Sequence, residues 1–234
     1  MQVSKGVIYL RNTMDFPPVE ESLDDGLLAA GGDLSGKRLL NAYCNGIFPW
    51  YSEFSPILWY SPPVRCIFRP DSFITSHSLM LKLKNNNFTF SLDKEFESVI
   101  KACASVKRKG ESGTWILPEM IDAYTALHKS GYAHSVEVWD KGKLAGGLYG
   151  VSLGRAFFGE SMFHKVTDAS KAALHYLCNT LQRQNFNFID AQNETAHLLS
   201  LGAVTMSRTE YLKMLGQTLS YPTIRGNWKN LQSQ

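Results

Sequence analysis

Two short runs hold the residues whose types and spacing could do chemistry. Gly159-Glu160-Ser161-Met162-Phe163 ends a strand-like stretch just before a long helical one. Glu160 sits between Phe157-Phe158 and Met162-Phe163, so it is a carboxylate in apolar company. Such a group suits an amine, although a solvated strand-end carboxylate would read the same way. Strand alternation puts Glu160 and Met162 on one face, and Ser161 and Phe163 on the other. The second run, Ile189-Asp190-Ala191-Gln192-Asn193, follows Phe186 and Phe188. Alternation places Asp190 and Gln192 on a common face, about 7 Å apart along the strand. A carboxylate and an amide converging there can orient an amine and position an acyl group. The competing reading is a loop carboxylate capping the helix that starts near Thr195.

Other chemistries have weaker support. Cys44, Cys66, Cys103 and Cys178 form no C-x-x-C pair and sit in apolar or helical surroundings, which predicts reduced core thiols and no metal site. The six histidines are scattered, so no cysteine–histidine nucleophile stands out. An acyl-coenzyme A enzyme needs glycine-rich backbone at the start of its long helix to cradle a pyrophosphate. The segment His164 to Lys171 has no glycine. Lys165 and Lys171 there are open to a phosphate or simply to solvent.

These runs must be positioned by a folded scaffold, and the composition supports one. The 234 residues are 44% hydrophobic and 19% charged, an ordinary globular mix. The net charge of +3 permits nucleic-acid contact without demonstrating it. No apolar run reaches the length of about 18 residues that crosses a membrane, and no secretory leader is legible, so a cytoplasmic protein without membrane contact is expected. The first 63 residues are rich in Gly, Pro and aromatics, with one helix expected from Ser35 to Asn45. They read as a small N-terminal domain bounded by Pro62-Pro63.

From 64 to 234 strands and helices alternate. Strands are expected at 65–69, 88–92, 133–139, 144–153, 156–163 and 186–191. Helices are expected at 76–84, 94–104, 118–129, 168–183 and 195–201, with Ser207-x-x-Glu210 capping another through Leu215. The longest, 168–183, carries Leu174, Leu177, Cys178 and Leu181 on one stripe. The last twenty residues show no period. The antiparallel strands of 133–163, a helix and one more strand make an α/β (α+β) mixed sheet. This is the central pattern of the N-acetyltransferase fold, which by itself does not give function.

Longer blocks carry a resemblance. Gly26-Leu-Leu-Ala-Ala-Gly-Gly-Asp-Leu-Ser35, Gly46-Ile-Phe-Pro-Trp50 and Ile57-Leu-Trp-Tyr-Ser-Pro62 lie in the first part. Gly113-Thr-Trp-Ile116, His134-Ser-Val-Glu-Val-Trp139, Gly146-Gly-Leu-Tyr-Gly150, Phe158-Gly-Glu-Ser-Met-Phe163, Ala169-Ser-Lys171 and Ile189-Asp-Ala-Gln192 follow in order. Together they resemble the leucyl/phenylalanyl-tRNA–protein transferase family. The resemblance implies an N-acetyltransferase-like catalytic domain behind a small N-terminal one. It implies transfer of Leu or Phe (and Met) from aminoacyl-tRNA to proteins with N-terminal Arg or Lys, marking them for degradation, without metal or coenzyme. A monomer is expected.

By the same resemblance Asp190 and Gln192 are the catalytic pair. Trp50, Trp115, Phe157, Met162 and Leu181 surround the amino acid and adenine, with Leu148 deeper and Glu160 a pocket carboxylate. Relatives carry Met where Leu148 stands and Phe where Leu181 stands, so the balance between Leu and Phe is open. For tRNA, Lys82 and Lys84 match a basic helix that is more charged in relatives. Lys107, Arg108 and Lys109 form a second basic run, and Lys165 a further candidate. A noncatalytic RNA-binding module and an acyl-coenzyme A transferase remain the alternatives.

Overall fold

The alternation read from 64 onward becomes one large sheet, and the aromatic-rich first part becomes a smaller one. The computed structural model describes residues 6–10, 14–85, 88–106 and 114–233. The small sheet has the order β1-β2-β4-β3, with β1 Ile8–Leu10, β2 Leu27–Gly31, β3 Phe48–Pro49 and β4 Leu58–Tyr60. Helix α1, Gly36–Cys44, lies between β2 and β3; the Ser35 hydroxyl accepts from the Arg38 N–H and starts it. These strands have two to five residues. That is too short to show a period, which is why the sequence suggested only an irregular module.

The large sheet is ordered β11-β5-β10-β9-β8-β7-β6. Its strands are β5 Val64–Phe68, β6 Thr89–Leu92, β7 Ala133–Asp140, β8 Lys143–Leu153, β9 Ala156–His164, β10 Phe188–Gln192 and β11 Val204–Ser207. The helices are α2 His77–Lys84, α3 Phe96–Ala104, α4 Pro118–Lys129, α5 Ala169–Arg183, α6 Ala196–Ser200 and α7 Arg208–Leu219. All strand pairs of this sheet are antiparallel except β9 and β10, which α5 joins by a crossover. The expected mixed α/β architecture is therefore present. β11, unread in the sequence, is a four-residue edge strand in which Val204 remains largely in solvent.

The sheet separates two apolar cores. Tyr149, Val151, Phe158 and Phe188 pack with α1, α3, α4 and α7. Leu148, Phe157, Phe68 and Ile189 pack with α5 and α2. The successive pairs Leu148/Tyr149 and Phe157/Phe158 go to opposite sides, as the pleat requires. Leu39, Tyr43 and Trp59 of the first part belong to the same core as Val99, Tyr124 and Phe158. The two sheets are thus held by shared apolar burial rather than by a thin contact.

Candidate active site

The parallel pairing of β9 and β10 runs only from Ala156–Phe188 to Phe158–Asp190. Both strands continue past that point, and a cavity of about 440 Å³ lies where they part. Each strand carries an irregularity there. Tyr149 pairs with Ser161 and Gly150 with Gly159, so Glu160 is an extra residue with no partner on β8. Asp190 pairs with Ile67 and Gln192 with Cys66, so Ala191 is extra on β10. Such bulges re-aim side chains. The alternation expected for Glu160 and Met162 fails for this reason. Glu160 turns toward α1 and α4, while Met162 packs with the α5-side cluster.

Glu160 is 8% exposed and lines the cavity. Its Oε1 accepts from the Tyr43 hydroxyl at 2.7 Å and from Gln192 Nε2 at 2.9 Å. Its Oε2 accepts from the Tyr124 hydroxyl at 3.0 Å, and the two phenols touch each other. Burial, with Glu160 alongside, holds both phenols protonated far above the usual tyrosine range. The triangle of Tyr43, Tyr124 and Glu160 has three contacts, but two phenols supply only two protons. The third contact is satisfied when Glu160 itself carries a proton. Burial raises the Glu160 carboxyl from its ordinary 4.5 to about 7, against the lowering effect of its hydrogen bonds. Glu160 is therefore a group that gains and loses a proton near neutrality.

Asp190 is differently placed. It is fully buried and does not line the cavity. Its Oδ2 accepts from Arg65 Nη2 and from the Tyr211 hydroxyl, the latter at 2.7 Å. Arg65 also reaches the Gly46 carbonyl at 2.8 Å, with the rings of Phe48 and Tyr211 against its guanidinium. The Asp190 Oδ1 accepts from the backbone N–H of Gln192 at 2.9 Å. Gln192 has φ +63°, a left-handed conformation unusual outside glycine. The bond from Asp190 holds that turn, and the turn carries the Gln192 amide to the cavity beside Glu160. The pair expected side by side is thus arranged in series.

Trp50, Trp115, Leu148, Phe157, Glu160, Met162 and Gln192 all line the cavity. Leu181 does not: it is fully buried, and Leu174 and Leu177, earlier on α5, take the lining position instead. The helical stripe gave all three the same core reading. Tyr43, Tyr124, Arg65 and Tyr211 were also missed as site residues. Tyr43 and Tyr124 are at apolar helix positions, and nothing local says that their hydroxyls meet a carboxylate. Burial pushes the thiols of Cys66 and Cys178 up to about 11 and 12, against a thiolate role.

The basic candidates divide. Lys82 Nζ donates to the Thr167 carbonyl at 3.0 Å and pairs with Asp168 at 2.7 Å. Lys171 pairs with the other oxygen of Asp168 at 3.1 Å. These partners hold the Asp168 carboxyl below its usual range, the Lys82 hydrogen bond most of all. Lys84 and Lys165 are exposed, Lys165 lying over the Phe163 ring at 5.9 Å. Lys107, Arg108 and Lys109 lie outside the described residues. Among the described residues no helix is long and apolar enough to cross a membrane.

Solved structures similar to this chain are distant. L-PGS from Bacillus licheniformis is 14% identical with a TM-score of 0.40, covering 64% of this chain and 48% of that one. An aminoglycoside acetyltransferase from an uncultured soil metagenomic sample is 13% identical with a TM-score of 0.37, covering 50% and 85%. Likeness at this level bears on neither substrate nor mechanism. Sequence relatives are much nearer. A leucyl/phenylalanyl-tRNA–protein transferase of Desulfatibacillum aliphaticivorans is 54% identical over 228 residues, 97% of each chain. One from Legionella pneumophila (strain Corby) is 54% identical over 213 residues, 91% of this chain and 95% of the relative. The family model for leucyl/phenylalanyl-tRNA protein transferase matches residues 67–216, and that for its N-terminal domain matches 32–63. With near full-length identity above one half, this chain is an aminoacyltransferase and belongs to the leucyl/phenylalanyl-tRNA–protein transferase family.

Proposed function

We propose that the cavity takes the aminoacyl end of a tRNA charged with Leu, Phe or Met. The amino acid passes to the α-amino group of a protein that begins with Arg or Lys, marking that protein for degradation. The observation that carries this reading is an apolar, aromatic-walled cavity into whose lining the hydrogen-bonded pair Glu160 and Gln192 projects, with Ser161, Asn193, Thr195 and His197 as its other polar residues. An apolar side chain fits the walls, and the ester and incoming amine fit the pair.

The reaction is ester aminolysis. The amine nitrogen attacks the ester carbonyl carbon, and the bond to the ribose 3′ oxygen breaks. One proton leaves the nitrogen, and one ends on that oxygen. No redox change occurs, so the reading calls for no metal or coenzyme. An α-amine has a pKa of about 7.7–8.0, so much of it is protonated at neutral pH. In this reading Glu160 takes that proton as the amine enters, and the Gln192 amide contacts ester and nitrogen. Asp190 is a positioning residue that fixes the Gln192 turn. Its oxygens are taken up by Arg65, Tyr211 and the Gln192 N–H, and it does not line the cavity, so in this reading it is not the base.

Of the basic candidates, Lys84 and Lys165 are exposed and available to phosphates in this reading, with 107–109 as further candidates. The alternative of coenzyme A is weakened at α5, where the carboxylate of Asp168 already holds Lys82 and Lys171. We further propose a division of the chain at residue 63, supported by the separate matched spans, and a monomer acting in the cytoplasm, where charged tRNA is made. The test is transfer of labelled Leu, Phe and Met from charged tRNA to proteins beginning with Arg, Lys or Gly. Transfer to Arg and Lys alone supports the reading. Transfer to Gly as well removes the acceptor assignment, and no transfer to any removes the reading.

A further inference from the structure

Phe157 lines the cavity, and a residue far along the chain stands behind it. Trp228 is 1% exposed and does not line the cavity. Its ring centroid is 6.0 Å from that of Phe157 and 6.0 Å from that of Phe186. It also stacks on His134 at 3.7 Å, nearly parallel. Two hydrogen bonds fix it. The Trp228 backbone N–H donates to Asp93 Oδ2 at 2.7 Å, and its Nε1 donates to the Ile224 carbonyl at 3.1 Å. Asp93 in turn accepts from His134 Nδ1 at 2.8 Å and from the Ser135 N–H at 2.9 Å. A short helical turn at 228–233 is thus clamped to β7 and to the approach to α3 by one buried carboxylate.

Phe157 is also confined at Gly150. A Cβ at Gly150 would stand 2.5 Å from the Phe157 ring and 2.2 Å from the Phe158 carbonyl oxygen. Gly150 is also the partner of His134 across β7 and β8. Phe157 therefore has two close neighbours, Gly150, whose missing side chain leaves room for its ring on the sheet, and Trp228, which packs against it from outside the cavity lining. Trp228 lies beyond the span 67–216 that the family model matches.

We infer that Trp228 is a specificity-determining positioning residue: it buttresses Phe157 and so sets the depth of the cavity, and with it the choice between Leu and Phe donors. The inference rests on the proposal that this cavity holds the donor side chain. A smaller residue at 228 lets Phe157 move back, and the deeper cavity favours the larger Phe. Interior side chains are packed densely enough for such a void to be felt by their neighbours.

The experiment is a competition between Leu-tRNA and Phe-tRNA in one reaction, reading the ratio of products. That ratio does not depend on how much of a variant is folded, so a loss of stability cannot imitate the effect. The variants are Trp228→Phe, Trp228→Leu, Phe157→Leu and, as a control in the other core, Leu215→Ala. We expect Trp228→Leu to raise the Phe:Leu ratio about threefold or more, less than the roughly 10–200-fold that a methylene in direct contact commands, because Trp228 acts through Phe157. Trp228→Phe should shift it less, in the same direction, and Leu215→Ala should leave it unchanged. If Phe157→Leu moves the ratio and neither Trp228 variant does, the inference is overturned while the donor-cavity reading stands. An unchanged ratio for Phe157→Leu as well overturns both. A shift of equal size in Leu215→Ala overturns the inference too, since the effect would then be a general loosening.

Discussion

Glu160 shows how a single residue reports its surroundings. In the unfolded chain it ionises near 4.5, and in the fold it keeps its proton to about 7. Between these values the folded protein binds more protons than the unfolded one, so this group's contribution to stability falls as pH rises through that window. Glu160→Gln removes the titration and keeps the shape. Relative to wild type, the variant should gain stability from pH 4.5 to pH 7, by on the order of 3 kcal/mol, then level off. Denaturant unfolding at a series of pH values checks this; parallel pH profiles would mean that Glu160 is not the titrating group. The apolar neighbours Phe158 and Met162 announced the carboxylate's setting in the sequence. Its two phenolic partners, Tyr43 and Tyr124, were not legible, because their separation of 117 and 36 residues from Glu160 is bridged only by the tertiary fold.

At the scale of the element, helices were read more faithfully than strand faces. The Ser76 cap of α2, Pro118 at the start of α4 and the Ser207–Glu210 box of α7 are local hydrogen-bonding or steric signals, and each appears in the structure. Period-two reasoning failed at Glu160 because a bulge adds one residue, and a one-residue shift reverses every face assignment beyond it. The same effect at Ala191, with φ +63° at Gln192, turned an expected side-by-side pair into a serial one. Glycine adopts that backbone without the strain an alanine meets. Gln192→Gly should therefore be more stable than Gln192→Ala by about 1 kcal/mol. Both remove the amide, so both should lose transfer equally. Thermal unfolding and a transfer assay separate the two effects; equal stabilities would contradict the strain.

The whole molecule joins its parts through buried polar contacts as well as apolar ones. Arg65 begins the large sheet yet donates to Gly46 of the first part, and Tyr43 of α1 reaches Glu160 on β9. A reading by segments places a boundary at Pro62-Pro63 but cannot show these cross-links. Charge behaves similarly. Lys82 and Lys84 look equivalent in sequence, but only Lys82 is paired with Asp168. Lys84→Ala should reduce the slope of log affinity for tRNA against log salt by about 1, and Lys82→Ala by less, because a lysine held by a carboxylate releases fewer counterions. Titrations at four or more salt concentrations check this, and equal changes would show that the Asp168 pair yields to phosphate.

The central claim is that bond formation takes place at the Glu160–Gln192 edge of the cavity. Gln192→Ala tests it most directly, with Phe-tRNA binding and Phe transfer to an N-terminal Arg protein measured on the same preparation. Binding should change little, and the transfer rate at saturating Phe-tRNA should fall by about 100-fold, the usual cost of removing a donor at a reacting centre. A variant that binds Phe-tRNA and transfers Phe at the wild-type rate would contradict the account.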